Sequence, residues 1–416
     1  MASIKEKPNG SYLITVSCGR DLNGKQLFER ITYTPKAKSK KAKAKEVNTQ
    51  AALFEEKVRN GEIISGDKIK FSDFVKKWNE EWAKTHLTKR VNEDYLANIE
   101  KHGYPVLGNM PIAKIKPATI QGIITRLNAD HEPTTVKKII SSFSSVFEYA
   151  YKMEVIKANP VRRCELPREE HDTDLHYFTV AQAKTFLDAI QKSYIDTYKK
   201  KTGTVYTQVR TMPTQLQVFF HLAIYSGCRR GELLALTWND IDFKNQKINI
   251  NKAVSLLRSG EQITKDPKTK KGNRELKLPS KCFTMLRKWK IEELELCLML
   301  GQDWKGASSR AFDDNYIFIQ MTTGEQMHTD TPYQTFKRFI SRYNEDCERE
   351  EDKLPSITLH DLRHTSATLL LSEGMDIEEV SRRMGHSKPS VTLDIYGHAL
   401  PEKNDAASDI LDRLLG

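Results

Sequence analysis

Hydrophobic and polar positions near the N-terminus alternate with a period of two. The alternation covers residues 11–18 and again residues 27–33, which is typical of strands with one buried face. Asn23-Gly24 lies between the two runs and is a strong signal for a tight hairpin turn. A helix is predicted from about Lys41 to Val58, so this region is predicted to be a small β-rich module braced by one helix.

From about residue 71 to residue 164 the pattern has the period of an α-helix. Apolar side chains recur at the i, i+3, i+4, i+7 spacing of helices that pack on a core. The clearest such stripe consists of Val136, Ile139, Ile140, Phe143, Val146, Phe147 and Ala150. Pro117 and Pro133 mark predicted helix starts. The pattern predicts an all-helical domain of four or five helices that ends before Asn159-Pro160.

The rest of the chain predicts one large mixed domain. Residues 166–177 are polar and aperiodic, as in a linker, and Thr179 with Gln182 has the spacing of a capping box at a helix start. An apolar helix at 216–225, a small antiparallel sheet across 241–278 and further helices to Leu415 follow. The predicted segments are 1–65, 66–166, 167–177, 178–400 and 401–416, the last a tail helix.

Composition and charge narrow the function classes. The net charge is +11, and residues 1–60 carry 13 Lys and Arg against 6 Asp and Glu, which favours a polyanionic partner such as nucleic acid. No run of apolar residues is long enough to span a membrane, and the N-terminus lacks the apolar core of a signal peptide, so a cytoplasmic protein is predicted. The six cysteines are scattered and indicate free thiols.

A cluster of lysines lies where the predicted N-terminal sheet meets its helix. Such a run is often only a solvated helix start, but a β-ribbon with a positive edge can also enter a major groove. Both interpretations stay open for these residues. The DNA-binding candidates in the cluster are Lys36, Lys38, Lys40 and Lys41.

Two motifs in the large domain place cations at turns. Arg229 follows the helix-ending Gly227, near a helix N-terminus that favours anions, and its guanidinium can bind phosphate oxygens as a planar fork. The alternative is an ordinary i, i+3 pair with Glu232. Farther on, a basic hairpin tip could deliver an ammonium group to a leaving oxygen, although exposed lysines often serve only solubility. The tip carries Lys270 together with Lys268 and Lys271, which are two further DNA-binding candidates.

A third motif, residues 359–365, places His360 and Arg363 three residues apart on a predicted helix, where they share a face. His360 and His364 also have the i, i+4 spacing of zinc peptidases. The zinc alternative is weak, because Asp361 replaces the glutamate that serves as base there and Arg363 would repel a dication.

A fourth motif, residues 384–398, contains His386 and Tyr396. A tyrosine near a helix end most often packs its ring and hydrogen-bonds its hydroxyl. Only the other motifs suggest a further role.

Taken in order, the motifs resemble the active-site signature of the tyrosine recombinase family. The similarity covers most of residues 178–398 and rests on the blocks SGCRRGELLAL, PKTK, HDLRHTSAT and MGHSKPSVTLDIYGH. The matching positions are Arg229, Lys270, His360, Arg363, His386 and Tyr396. Within the family the chain looks most similar to integrases of conjugative transposons.

The resemblance implies a fold class and a mechanism. The expected fold is a three-stranded sheet plus helix, an all-α core-binding domain and a mixed, mainly α catalytic domain with a small antiparallel sheet. Arg229 and Arg363 would clamp the scissile phosphate, with a hydrogen bond from His386, and Tyr396 would attack phosphorus. His360 would help take the tyrosine proton and Lys270 would protonate the leaving 5′ oxygen, although the adjacent Lys271 stays an alternative. Glu232 would orient the arginines.

The resemblance also implies partners. They are double-stranded DNA at core and arm sites, a homotetramer in the synaptic complex, and excisionase and DNA-bending proteins, with neither a cofactor nor a metal. Residues 407–415 carry a small apolar stripe that could dock on a neighbouring protomer or on its own domain. The expected protein integrates and excises a mobile element in the cytoplasm, at the nucleoid. The alternative function is a catalytically silent DNA-bridging regulator on the same fold.

Overall fold

The structure is a computed structural model that describes residues 2–20, 26–37, 39–59, 69–168, 175–199, 205–265, 272–307, 309–397 and 413. The chain divides into two compact units, Met1–His171 and Asp172–Gly416. Buried apolar side chains form separate cores in the two units. In the described part of the chain, no helix combines the length and apolar character that a membrane crossing requires.

An antiparallel sheet with strand order β1-β2-β3 opens the first unit. The strands are β1 (Ser3–Glu6), β2 (Tyr12–Arg20) and β3 (Gln26–Tyr33). Helix α1 (Lys40–Arg59) packs its Ala51 and Phe54 against Ile14 and Val16 of β2. The predicted three-stranded sheet plus helix is therefore confirmed, while the predicted turn at Asn23-Gly24 falls outside the described residues.

Residues 71–152 are mainly helical, as the periodicity predicts. The helices are α2 (Phe71–Trp78), α3 (Lys84–His86), α4 (Lys89–Asn98), α5 (Tyr104–Leu107), α6 (Pro117–Asp130) and α7 (Pro133–Lys152). π-Helical segments join α2 to α3 and α4 to α5, so these elements form four continuous stretches of helix. Pro117 and Pro133 each occupy the first helical position, where a missing N–H costs nothing.

The second unit begins with α8 (Val180–Ala189), whose N-terminus is the predicted capping box of Thr179 and Gln182. An antiparallel hairpin that the sequence pattern did not predict follows, with strands β4 (Tyr194–Lys199) and β5 (Val205–Arg210). Helices α9 (Thr214–Ser226) and α10 (Arg230–Leu234) come next. The two helices are separated only by Gly227, Cys228 and Arg229, so Arg229 lies at a sharp turn.

The predicted small antiparallel sheet is confirmed and consists of three strands in the order β10-β7-β6. These strands are β6 (Ile241–Asp242), β7 (Lys247–Ile250) and β10 (Arg274–Lys277). Among the described residues, β8 (Ala253–Leu256) and β9 (Gln262–Lys265) pair only with each other. The basic tip at 266–271 that links β9 to β10 lies outside the described residues.

Helices complete the second unit. They are α11 (Ser280–Leu300), α12 (Thr331–Glu345), α13 (Asp361–Ser372), α14 (Ile377–Met384) and α15 (Pro389–Tyr396). The predicted tail helix at 401–416 falls outside the described residues apart from Arg413.

A buried carboxyl group lies on α11. The side chain of Glu293 is fully buried, and its Oε2 accepts a hydrogen bond of 3.1 Å from the Trp238 indole. Its Oε1 has no partner among the described residues. Burial raises the pKa of Glu293 to about 8, against the opposing effects of the Trp238 bond and the charge of Lys290. The group is therefore protonated in the folded protein at neutral pH.

Glu293→Gln should stabilise the second unit as the pH rises. The folded pKa lies above the unfolded value of 4.5, so the wild-type protein loses stability between about pH 4.5 and pH 8, and the glutamine variant does not. The difference at pH 8 is at most about 5 kcal/mol, because one pKa unit corresponds to about 1.4 kcal/mol. Melting temperatures from pH 5 to pH 8.5 measure it, with the exposed Glu295→Gln as control. Parallel curves for the wild type and Glu293→Gln would contradict the assignment.

Candidate active site

Arg229 is held by a carboxylate one helical turn away. It precedes the first residue of α10, and Glu232 reaches back to accept hydrogen bonds of 2.9 Å from both the backbone N–H and the Nη1 of Arg229. The side chain of Arg229 is about half exposed, whereas that of Glu232 is buried. The i, i+3 pair that the sequence left as an alternative therefore exists, and it orients a guanidinium that remains accessible to a ligand.

A second guanidinium binds the same carboxylate from the other side. Arg274, the first residue of β10, is buried and donates from Nη2 to Oε2 of Glu232 at 2.8 Å. Its Nε donates to the carbonyl oxygen of Arg383 at 2.8 Å. Arg274 was not among the predicted site residues. Its position in the alternation with Leu276, which makes both side chains face the interior, is the sequence signal that could have found it.

The charge of Glu232 is fixed by these contacts. Burial alone would raise the pKa of Glu232, but the hydrogen bond and charge of Arg274, followed by the backbone bond and charge of Arg229, hold it below its usual value. The carboxylate is therefore ionised at neutral pH and partly neutralises the two guanidiniums that it orients.

Arg363 is the most deeply buried of the predicted cations, with 3% of its surface exposed. It lies in the first turn of α13 and donates from Nη1 to the carbonyl of Gly227 and from Nη2 to the carbonyl of Met384, both at 2.7 Å. These oxygens belong to the C-terminal ends of α9 and α14, where helix dipoles are negative. Burial and then the charge of Arg229 lower the pKa of Arg363 to about 10, so it stays charged at neutral pH.

The two predicted histidines flank these arginines. His386 follows α14, and its Nδ1 lies 2.7 Å from the Thr392 hydroxyl. Burial, followed by the charges of Arg363 and Arg229, lowers the pKa of His386 to about 4. His360 precedes α13 and lines a cavity of about 280 Å³ together with Arg363 and Arg230.

Tyr396 is the last residue of α15, and 1% of its surface is exposed. Its ring packs among Ala367, Leu371, Val380 and Met384. Burial raises the pKa of the phenol, and the charges of Arg363 and Arg229 act in the opposite direction. The hydroxyl is 2.8 Å from Nδ1 of His364, and His360 is not its described partner.

The structure thus brings Arg229, Arg363, His386 and Tyr396 into one site, with Glu232 supporting it and His360 in the adjoining cavity. Lys268, Lys270 and Lys271 fall outside the described residues. Lys36, Lys40 and Lys41 are exposed at the sheet–helix junction of the first unit, and Lys38 is outside the described part. Within the described ranges, no group of three or more His, Cys, Asp or Glu side chains is arranged to hold a metal ion.

Comparison with known protein families identifies the family to which this chain belongs. Residues 179–403 match the phage integrase family, and residues 71–166 match the phage integrase central domain. The chain belongs to the phage integrase family of tyrosine recombinases. The recombinase is therefore an enzyme that cleaves and rejoins DNA strands through a covalent phosphotyrosine intermediate. The first match contains all the site residues described above.

Individual proteins agree with the family assignment. The recombinase is 28% identical to the ICEBs1 integrase of Bacillus subtilis, over 99% of this chain and all of that protein. It is 24% identical to a XerC-like tyrosine recombinase of Caldanaerobacter subterraneus, over 97% of this chain and 96% of that protein. Its fold is similar to that of the Tn1549 transposon integrase in complex with a circular intermediate DNA, with a TM-score of 0.60, 23% identity and coverage of 82% of this chain and 98% of that one.

Gly385→Ala should damage the site through Arg274. Gly385 ends α14 with a φ of +67°, and a Cβ there would lie 2.7 Å from Nη1 of Arg274. The substitution would therefore add displacement of Arg274 to the backbone strain, which itself costs about 1–2 kcal/mol. We expect a larger loss of unfolding free energy than for Gly374→Ala, and slower DNA cleavage.

Gly374 is a matched control, because its φ is +83° and no atom lies within 4 Å of a Cβ added there. Urea unfolding and single-turnover cleavage measure the two effects. Equal losses of stability and unchanged cleavage in both variants would mean that Arg274 moves without cost and does not support the site.

Proposed function

We propose that this recombinase integrates and excises a mobile element, and that Tyr396 is the nucleophile that becomes joined to the 3′ end of the cleaved strand. The observation that carries the proposal is the distance of 2.8 Å between the Tyr396 hydroxyl and Nδ1 of His364, the residue next to Arg363. The Tyr396 ring also packs with Met384, whose carbonyl oxygen binds Arg363. The guanidiniums of Arg229 and Arg363 are anchored by protein groups before DNA arrives. Similarity to the integrases of ICEBs1 and the Tn1549 transposon supports the mobile-element role.

Arg229 and Arg363 bind the non-bridging oxygens of the scissile phosphate. A guanidinium has five N–H donors, and the bonds of Arg363 to its two carbonyls leave further donors for a phosphate. Fixed cations of this kind stabilise the charge that develops on phosphoryl oxygens in the transition state. His386 donates a further hydrogen bond to the same phosphate from Nε2, in the tautomer whose Nδ1 accepts a hydrogen bond from the Thr392 hydroxyl.

Cleavage exchanges one phosphoester for another. The Tyr396 oxygen forms a bond to phosphorus as the bond from phosphorus to the 5′ oxygen breaks, and the departing oxygen takes a proton from Lys270. Rejoining reverses the same steps with a different 5′ hydroxyl. The bond energy is retained in the phosphotyrosine, so strand exchange needs no ATP.

The remaining segments supply DNA contacts and assembly. Residues 1–65 bind arm sites through Lys36, Lys38, Lys40 and Lys41, residues 66–166 bind core sites, and residues 178–400 cleave. The exposure of Lys36, Lys40 and Lys41 beside a β-sheet supports the arm-binding role. One active site cuts one strand, so exchange between two duplexes uses four protomers, and residues 401–416 dock on a neighbour. Excisionase and DNA-bending proteins direct the reaction, in the cytoplasm at the nucleoid.

Tyr396→Phe should abolish the covalent adduct and leave DNA binding intact, because it removes only the attacking oxygen. A duplex with a nick near the cleavage site traps the adduct, since the short fragment that carries the leaving hydroxyl diffuses away. Denaturing electrophoresis detects the adduct, and mass spectrometry of the digested wild-type adduct identifies the modified residue. Tyr225→Phe is a control, because Tyr225 belongs to the same unit and its ring packs against the main core. An adduct in Tyr396→Phe, or a modified residue other than Tyr396, would overturn the proposal.

Changing the leaving group of the DNA substrate shows whether Lys270 or Lys271 protonates the 5′ oxygen. Lys270→Ala should cleave ordinary DNA about 10²–10⁴-fold more slowly than the wild type, because the 5′ oxygen then departs without a proton. A substrate with sulfur in place of that oxygen should restore cleavage, since a thiolate is far more stable than an alkoxide. Lys271→Ala serves as the matched control and should cleave both substrates normally. The opposite pattern would assign the proton to Lys271.

A further inference from the structure

The hydroxyl of Tyr396 contacts a residue to which the sequence assigned no catalytic role. Nδ1 of His364 lies 2.8 Å from the Tyr396 oxygen, and the two rings are 5.4 Å apart. His364 is the residue after Arg363 on α13, and its side chain is 16% exposed. The sequence drew attention to it only as a possible zinc ligand. A histidine nitrogen at this distance from an attacking oxygen has the geometry of a general base.

The carboxylate of Asp361 determines whether Tyr396 or His364 donates the hydrogen bond between them. Nε2 of His364 faces Oδ1 of Asp361 at 3.9 Å, which is too long for a hydrogen bond but close enough for an electrostatic preference. A carboxylate favours the imidazole nitrogen that carries the proton, so Nε2 is protonated in neutral His364 and Nδ1 presents its lone pair. The Tyr396 hydroxyl is therefore the donor. The nucleophile Tyr396, the base His364 and the orienting carboxylate of Asp361 are arranged in this order, as in other sites that activate a hydroxyl group.

His364 is uncharged before DNA binds. Burial, followed by the charge of His360, lowers the pKa of His364 to about 4, and Arg363 adds to this effect while Asp361 opposes it. The Nδ1 lone pair is thus available at neutral pH. A DNA phosphate bound between Arg229 and Arg363 would place negative charge nearby and favour the imidazolium that forms during the reaction.

We propose that His364 is the general base of the cleavage step and the general acid of the rejoining step. The inference rests on the proposed role of Tyr396 as nucleophile. As the Tyr396 oxygen bonds to phosphorus, its O–H bond breaks and the proton passes to Nδ1 of His364. The electron pair of the broken phosphorus–oxygen bond leaves with the 5′ oxygen, which takes its proton from the lysine. In rejoining, His364 returns the proton to the departing tyrosine oxygen.

This inference reassigns a role that the family resemblance gave to His360. The ring of His360 meets that of His364 edge-to-face at 5.0 Å, and His360 lines the cavity that also contains Arg363. In the structure the Tyr396 hydroxyl forms its hydrogen bond with the ring of His364 and not with that of His360. The two histidines make different predictions for substitution, so one experiment separates them.

The experiment compares His364→Ala, His364→Gln and His360→Ala in single-turnover formation of the covalent adduct on nicked DNA. Loss of the base should slow His364→Ala by about 10²–10⁴-fold with DNA binding unchanged. His364→Gln should be similarly slow, because an amide oxygen accepts the hydrogen bond but not the proton. Added imidazole should restore part of the rate in His364→Ala and none in Tyr396→Phe. His221→Gln is the control for loss of a buried histidine of the same unit, because His221 bonds to a backbone carbonyl of α9.

The sulfur-substituted DNA provides a second measurement. It removes the need for the lysine proton but not for a base, so the defect of His364→Ala should persist on it while that of Lys270→Ala disappears. Rejoining of a preformed adduct should also be slow in His364→Ala, since the same nitrogen returns the proton.

Three outcomes would overturn the inference. The first is cleavage by His364→Gln at the wild-type rate, and the second is restored cleavage by His364→Ala on the sulfur-substituted DNA. The third is that added imidazole restores the cleavage rate of His360→Ala alone. The first would leave His364 a positioning residue only. If His364→Ala fails to fold, the rate of His364→Gln decides. A wild-type adduct on a residue other than Tyr396 would instead refute the proposed function.

Discussion

The Glu232 carboxylate holds two guanidinium groups, Arg229 and Arg274, close to each other in the catalytic unit. Like charges at such short range repel, and burying the Arg274 guanidinium away from water would cost several kcal/mol if it lacked a partner. An ionised carboxylate between them supplies hydrogen bonds and opposite charge to both. Without it the arginines would need water or a mobile anion as partner, and neither would hold Arg229 in a fixed orientation.

Arg363 also needs partners that stabilise its charge and fix its orientation, and backbone carbonyl dipoles supply them. Its carbonyl partners, on Gly227 and Met384, lie at the ends of two helices, α9 and α14, so the geometry of the site depends on where these helices stop. The two helices end in glycines with left-handed backbone conformations, Gly227 and Gly385. A side chain at Gly227 would clash with Met384, and one at Gly385 would clash with Arg274. The cationic pocket is therefore built into the helix boundaries. The DNA-free site has an excess of positive charge, and a phosphate supplies the missing anion.

Much of this arrangement could be predicted from the sequence because it depends on local signals. Helix periodicity, the prolines that start α6 and α7, and the capping box at Thr179 are properties of short segments. The order of Arg229, Arg363, His386 and Tyr396 was recognisable because the family motifs surround them. Glu232 could be placed because its partner lies only three residues away.

The rest of the site depends on contacts between distant segments. Arg274 reaches Glu232 across 42 positions and Tyr396 reaches His364 across 32, and no local pattern shows either contact. The hairpin β4–β5 was missed for another reason. It exposes apolar residues, Ile195 and Val209, so it lacks the inward-facing alternation that marks a strand with a buried face.

The most direct test of the central claim is a crystal structure of the recombinase bound to uncleaved DNA, obtained with Tyr396→Phe. We expect the guanidiniums of Arg229 and Arg363 to bind the same scissile phosphate, with the ring at position 396 on the side opposite the 5′ oxygen. Glu232 should still bridge Arg229 and Arg274. A scissile phosphate bound outside this pair of arginines, or a Glu232 released from both arginines, would contradict it.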